Sequence, residues 1–122
     1  MLTRASAACV LFALLCWAAC SPPPDPITLA ENTVIVLNTT SRDWRDVRIT
    51  VNDHFTAGTP RLAAGGRLTA PLREMQTAFG QRYDVTRQLV YKVDVTATDS
   101  RGGAVDLRWL AGRGSAGSVQ VR

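Results

Sequence analysis

His54 is the only histidine among the 122 residues, so a catalytic triad or a histidine-containing metal site would have to be built around it. It ends the run Asn52-Asp53-His54, which offers one carboxylate and one imidazole to a metal ion. Structural zinc sites take four ligands and catalytic ones three, whereas Asn and Asp are frequent in turns, so this run predicts a turn. The chain also lacks the sequence patterns of metalloproteases, phosphate-binding loops, serine hydrolases and calcium loops. We therefore expect no catalytic residue, no metal and no cofactor.

All three cysteines lie in the first twenty residues, at Cys9, Cys16 and Cys20. Around them, an uncharged run from Ala5 to Ala19 follows Arg4, which is the pattern of a signal peptide. The run is shorter than the roughly twenty residues of a membrane-spanning helix, although an uncleaved anchor stays open on length alone. We predict that residues 1–19 are a signal peptide. The chain beyond Cys20 then has no cysteine pair from which to form a disulfide.

Trp17-Ala18-Ala19-Cys20 resembles the lipobox of bacterial lipoproteins, where cleavage before a lipid-modified Cys makes that Cys the first mature residue. Ala18, Ala19 and Cys20 match the pattern, whereas the family has Leu or another aliphatic residue at the position of Trp17. Two alternatives stay open. Cleavage after Cys20 would leave Ser21 as the amino terminus, or Cys20 would keep an unmodified thiol at the membrane. The resemblance implies lipidation of Cys20 and attachment to a membrane of the cell envelope, facing the periplasm or the exterior.

Four of the six residues from Ser21 to Pro26 are proline, a composition that favours an extended polyproline II spacer. We interpret residues 20–26 as a lipidated Cys followed by a stalk. At roughly 3 Å per residue, the stalk would hold the following domain about 15 to 20 Å from its anchor. An unstructured terminus is the alternative interpretation.

The charge balance does not favour a nucleic acid as partner. Without Arg4, thirteen basic residues stand against ten acidic ones, and the basic residues are scattered singly with no aromatic residues clustered between them. A nucleic-acid groove would concentrate both kinds of side chain on one face. The expected partners are the membrane, through the lipid on Cys20, and another envelope protein or polymer.

Alternation of apolar and polar residues with a period of two, typical of strands that bury one face, recurs along residues 27–110. One clean example places Val47, Ile49 and Val51 inward, with Arg48, Thr50 and Asn52 outward. The strongest alternation, in Gln88–Asp99, predicts an inner face made of Leu89, Tyr91, Val93, Val95 and Ala97. Further strands are predicted at Ile27–Leu29, Val34–Leu37, Ala57–Leu62, Leu68–Leu72, Gln88–Asp99 and Ala104–Leu110. Pro60 confines its segment to a sheet edge or a connection, and Pro71 favours an edge for its strand. The inward positions predict that Trp44 and Trp109 are buried in the core.

Two segments interrupt this β pattern. Within Arg73–Arg87, the helical spacing of Leu72, Met75 and Phe79 before Gly80 predicts a short helix or a crossing loop. We expect Met75, Phe79 and Tyr83 to cap the open end of the core, and a functional role for this long loop is the rival interpretation.

Residues 111–122 are rich in glycine and serine and predict a flexible tail, with Val119–Val121 either a frayed strand or disordered.

The run VIVLNTTSRDWRDVRITVN, in which a strand ends in Asn-Thr and leads through a loop to a second strand, is followed by Leu62-Ala63-Ala64-Gly65-Gly66 before another alternating strand. Together these features resemble bacterial immunoglobulin-like and fibronectin-like modules of the adhesion and FxLYD types, over about Val34 to Leu72. The resemblance implies an immunoglobulin-like antiparallel β-sandwich of about six or seven strands in residues 27–110. Such modules generally bind or space other proteins, so it implies no catalytic residues.

Two hypotheses about function follow from the sequence. The first is a lipoprotein whose β-sandwich serves as a non-catalytic interaction or structural module of the cell envelope. The second is a small secreted enzyme or ligand-binding protein with its site near His54 and Tyr83.

Overall fold

The computed structural model describes residues 24–120, with side chains through residue 116, and contains two antiparallel sheets. The three-stranded sheet has the order β1-β2-β5, with the strands β1 (Ile27–Ala30), β2 (Thr33–Leu37) and β5 (Arg67–Pro71). The five-stranded sheet has the order β4-β3-β6-β7-β8, with the strands β3 (Trp44–Val51), β4 (Phe55–Leu62), β6 (Lys92–Asp99), β7 (Ala104–Leu110) and β8 (Gly114–Gln120). The predicted fold class, an all-β antiparallel sandwich, is confirmed.

The strand order is shared in part with immunoglobulin-type sandwiches, in which the first, second and fifth strands lie in one sheet and the third, sixth and seventh in the other. Here β4 lies beside β3, and β8 is added beyond β7. The predicted edge positions of the two proline-containing strands are confirmed, because β4 and β5 are both outermost. Within residues 24–120, no helix is long and apolar enough to cross a membrane.

The core lies between the sheets and is formed by the apolar residues on the inward side of each alternation. Fully buried side chains come from both sheets: Val34 and Val36 from β2, Ile49 and Val51 from β3, and Val93 and Val95 from β6. Trp44, at the start of β3, is 0% exposed, which confirms its predicted burial. Its indole Nε1 is buried without a hydrogen-bond partner among the described residues.

Trp109 packs against the core from its inward position on β7, as predicted, but it is only half-buried, so the predicted full burial is wrong. Its position near the end of β7 explains the difference, because it pairs with Val93 on one side and with Ser115 on the other. Ser115 is small and leaves part of the indole in contact with solvent.

The predicted flexible tail is also wrong for residues 114–120, which form β8 along the full length of β7. A glycine-rich composition predicts flexibility for an isolated segment. However, the edge of β7 offers a row of unpaired backbone N–H and C=O groups, and pairing satisfies them whatever the side chains are. The hydroxyl of Ser115 also donates to the carbonyl of Ile27 at 2.8 Å, which ties β8 to the other sheet.

The chain reverses direction at two opposite poles of the sandwich. The N-terminal pole comprises Pro26 and the connections 38–43, 63–66 and 100–103. The loop pole comprises the connections 31–32, 52–54, 72–91 and 111–113. Pro26 belongs to the N-terminal pole because its carbonyl accepts a hydrogen bond from the Leu37 N–H at 2.8 Å, at the end of β2. The predicted signal peptide and Cys20 lie outside the described residues, as does most of the predicted stalk.

Asn38 organises the N-terminal pole from a fully buried position. Its Nδ2 donates to the carbonyls of Arg42, Leu62 and Ala63 at 2.8 to 3.2 Å, and its Oδ1 accepts from the backbone N–H and the hydroxyl of Thr40. The amide thereby links the 38–43 connection to the end of β4 and to the connection that follows it.

Asp99 closes the β6–β7 turn at the same pole and is 1% exposed. Its carboxylate accepts from the N–H groups of Gly103 and Arg101, both at 2.8 Å, and from Arg42 at 3.3 Å. The Gly103 N–H contributes most to holding the pKa of Asp99 below its ordinary value, and Arg101 and Arg42 act in the same direction.

The burial pattern predicts that Trp44→Ala destabilises the protein far more than Trp109→Ala. Truncation of a buried aromatic side chain typically costs about 3 to 5 kcal/mol, and a half-buried one costs less. Urea denaturation monitored by circular dichroism measures both free energies of unfolding. If the two substitutions lowered the free energy of unfolding equally, the conclusion that Trp44 is more deeply buried than Trp109 would be contradicted.

The lowered pKa of Asp99 predicts acid-sensitive stability. Because the folded state favours the carboxylate, its contribution is present above the ordinary pKa of 3.8 and is lost as pH falls through the lower folded pKa. Asp99→Asn should therefore be less stable than the parent at about pH 7, and the gap should narrow below about pH 4. Denaturation midpoints across this range test the prediction. The pKa values of Asp43, Asp53 and Asp84 are also lowered, and the substitution leaves these three residues in place, so the difference between the curves isolates Asp99. A difference in stability between the two proteins that stays constant with pH would rule out this contribution of the Asp99 carboxylate.

Candidate functional site

The loop pole carries all four large apolar side chains that are exposed among the described residues. Phe79 is 94% exposed, Leu89 89%, Tyr91 54% and Val85 37%. Single exposed apolar residues are normal on a protein surface, whereas several in one connection mark a candidate binding surface. The predictions that Phe79 caps the core and that Leu89 and Tyr91 lie on the inner face of a strand are wrong.

The connection from residue 72 to residue 91 contains a 3₁₀ turn at Leu72–Glu74 and no α-helix. Leu72 and Met75 are buried as expected. The helical pattern ends there because Gly80, at φ +80°, closes a tight turn in which its N–H donates to the carbonyl of Thr77 at 3.0 Å. The predicted crossing loop is thus confirmed, whereas the alternative of a short helix is not.

Phe79 lies at the tip of a small hairpin formed by residues 76–82. Gln76 and Arg82 form its bridge, and the Thr77 N–H donates to the carbonyl of Gln81 at 2.8 Å. The hydroxyl of Thr77 accepts from the N–H groups of Phe79 and Gln81 at 3.3 and 3.1 Å. The Thr56 N–H donates to the carbonyl of Gln76 at 2.9 Å, which joins the hairpin to β4. These bonds hold the tip and present the Phe79 ring to solvent.

Tyr83 anchors the loop from below. It is 4% exposed and packs edge-to-face on Phe55, with ring centroids 5.1 Å apart and an interplanar angle of 76°. Its hydroxyl donates to the carbonyl of Gln88 at 3.0 Å, and burial raises the pKa of that hydroxyl. Tyr83 therefore caps the core, as predicted.

Asn52 fixes the other end of the loop, a role that its outward position in the alternation did not indicate. It is 7% exposed, and its Nδ2 donates to the carbonyl of Leu89 at 2.9 Å. Its Oδ1 accepts from the N–H groups of Tyr91 and Lys92 at 2.9 and 3.2 Å. Asn52 adopts a left-handed conformation (φ +50°), which Asn tolerates better than most residues. An Asn at the end of a strand was the only signal in the sequence for this role.

A cleft of about 450 Å³ opens between the β3–β4 turn and this loop. Residues 53–55 line one side, and residues 77–79, 81 and 88 line the other. Five of these eight residues are polar. We refer to it as the loop-pole cleft.

His54 and Tyr83, which the second hypothesis places at one site, have different environments. His54 is exposed and lines the loop-pole cleft, whereas Tyr83 does not line it and its hydroxyl is bonded to Gln88. Asp53 pairs with Lys92, and the hydrogen bond from Lys92 is the main reason that the pKa of Asp53 is lowered.

Asn52-Asp53-His54 forms the predicted turn, in which the His54 N–H donates to the carbonyl of Val51 at 3.1 Å. The Asn52 amide is directed at the 89–92 backbone, and Asp53 is bonded to Lys92. In the part of the chain that the structure describes, no three His, Cys, Asp or Glu side chains converge as metal ligands would.

Comparison of the chain with protein-family models, with curated proteins and with solved structures found no match. The function must therefore be argued from the chain's own residues and geometry.

The hydrogen bonds of Asn52 predict that Asn52→Ala loosens the loop and destabilises the fold. The change leaves two N–H groups and one carbonyl without their partner, at a cost of about 1 to 3 kcal/mol for each one that stays buried. Asn32→Ala is the matched control, because Asn32 has a similar φ of +60° but an exposed side chain. Urea denaturation and amide hydrogen exchange at residues 89–92 measure the effects. Equal stability and equal exchange in the two variants would refute this role of Asn52.

Proposed function

We propose that this chain is a bacterial envelope lipoprotein, anchored through lipid on Cys20, whose non-catalytic β-sandwich presents its loop pole to a partner. The observation that carries the proposal is the direction of the chain. Pro26 is bonded into the N-terminal pole, whereas Phe79, Leu89 and Tyr91 are exposed at the opposite pole. An anchor before Pro26 would leave the apolar residues facing away from the membrane.

The dimensions support this arrangement. The eight residues of β6 run from the loop pole to the N-terminal pole, a length of about 25 Å at the usual rise of a strand. A polyproline spacer over residues 20–26 adds about 20 Å. The loop pole would then stand about 45 Å from the anchored residue, beyond the headgroups of its own membrane.

A binding role fits the site better than a catalytic one. An acid–base pair needs both groups within reach of one substrate. Tyr83, the proposed companion of His54, donates its hydroxyl to a backbone carbonyl and lies outside the cleft. By contrast, exposed apolar side chains on a hydrogen-bonded loop are what a partner-binding surface requires. The expected partner is another envelope protein or polymer, and no nucleic acid.

Mass spectrometry of the amino-terminal peptide tests the anchor. Cleavage after Arg42 should release residues 20–42 carrying the additional mass of acyl chains on Cys20. Cys20→Ser should abolish the lipid-bearing peptide. Cys16→Ser, which changes a cysteine inside the predicted signal peptide, is the matched control and should leave the peptide unchanged. A mature terminus at an unmodified Ser21, or a chain that retains residues 1–19, would refute lipidation.

A further inference from the structure

We propose that the loop-pole cleft binds an uncharged polysaccharide strand, with Phe79 as the surface on which one sugar ring packs. The inference deepens the proposed function and rests on it for the outward orientation of the cleft. If the mature chain starts at Cys20, four residues precede Pro24 and span at most about 14 Å. They cannot reach across the sandwich, so these residues do not cover the cleft.

The backbone that carries Phe79 is held in place before any ligand arrives. It is fixed by the Thr77 hydroxyl, which accepts from the Phe79 N–H, and by the turn at Gly80. The side chain remains 94% exposed beside the cleft. Binding on a ring whose backbone is already ordered loses little conformational entropy.

The polar part of the lining is rich in neutral groups. Gln81 and Gln88 contribute side-chain amides, each of which can both donate and accept hydrogen bonds. Gln88 uses its Oε1 to accept from the Asp84 N–H at 3.2 Å, which orients its Nε2 as a donor. Asp53 is the only carboxylate among the lining residues, and its charge is matched by Lys92.

These features favour a sugar over other ligand classes. A pyranose ring has one face of C–H bonds, which pack on the negative face of an aromatic ring, and a rim of hydroxyl groups that donate and accept as amides do. Among the described lining residues, an anion would meet no arginine or lysine, and the His54 imidazole lies beside the Asp53 carboxylate. A purely apolar chain would offer no hydrogen-bond partner to the Gln81 amide or to Nε2 of Gln88, and it would exclude water from both.

The size of the cleft indicates that it holds a short stretch of a longer polysaccharide. Its volume of about 450 Å³ falls in the ordinary range of ligand sites, and it is open to solvent and not enclosed. An open cleft lets the strand continue beyond the bound sugars. Leu89 follows directly on Gln88 and is 89% exposed, so it extends the apolar surface beyond the cleft.

The test is titration of the mature chain, purified in a zwitterionic detergent, with cellotetraose and chitotetraose as probes. Binding is followed by calorimetry and by the amide resonances of Phe79 and Gln81. At least one probe should bind, and Phe79→Ala should weaken its binding tenfold or more, whereas Phe79→Tyr should retain it. Val85→Ala is the matched control. Val85 is also exposed on this loop but lines a different hollow, next to Glu31 and Arg73, so its truncation should leave affinity unchanged.

Absence of binding by both probes at millimolar concentration would overturn the inference, as would equal affinity of Phe79→Ala and the parent. If the parent forms a dimer that Phe79→Ala converts to a monomer, a second copy occupies the cleft and the inference is wrong. Lipidation is measured separately by mass, and unlipidated Cys20→Ser should bind the same probe. Failure of sugar binding is therefore distinguishable from failure of the lipid anchor.

Discussion

Burial of one face of each sheet against the other is the interaction on which the rest of the structure depends. Val34 and Val36 meet the five-stranded sheet across this interface, and Trp44 closes one end of it. The chain after Cys20 contains no cysteine, so no disulfide within it supports the packing. Full burial of an aliphatic side chain contributes roughly 1.5 to 3 kcal/mol, and the sum is largely offset by the conformational entropy lost on folding. The packing of the two inner faces against each other therefore sets the position and the orientation of both poles.

An antiparallel sandwich directs every connection to one of two poles, and here each pole is organised by one buried asparagine. Asn38 bonds three carbonyls at the N-terminal pole, and Asn52 bonds the 89–92 backbone at the loop pole. A neutral amide suits this role because it donates and accepts without the cost of burying a charge. The long loop is consequently held at both ends, by Leu72 and Met75 in the core and by the Asn52 amide.

Sequence periodicity predicted the fold where burial of side chains decides the structure, as in Val47–Val51 of β3. It failed where backbone pairing decides. Residues 114–120 pair with β7 in spite of their glycines. Leu89 and Tyr91 continue the apolar alternation of β6 toward the N-terminus, but β6 begins only at Lys92 and both side chains are exposed. The candidate site was predicted only as a region near His54 and Tyr83 and as a long loop. Its cleft depends on contacts between residues far apart in the chain, such as Tyr83 with Phe55, and local spacing carries no information about them.

The loop pole combines order with exposed apolar surface, and this combination is informative about function. A mobile loop could turn Phe79 toward the protein and reduce its contact with water, but the hydrogen bonds of Thr77 and the turn at Gly80 hold the tip outward. Stability alone would be served as well or better by a polar residue at that tip, since a 94% exposed ring contributes little to the core. Residues that conflict with folding requirements while their surroundings are well ordered are commonly functional. The hairpin at residues 76–82 is thus better explained as an ordered structure that exposes Phe79 for binding than as a simple connection between sheets.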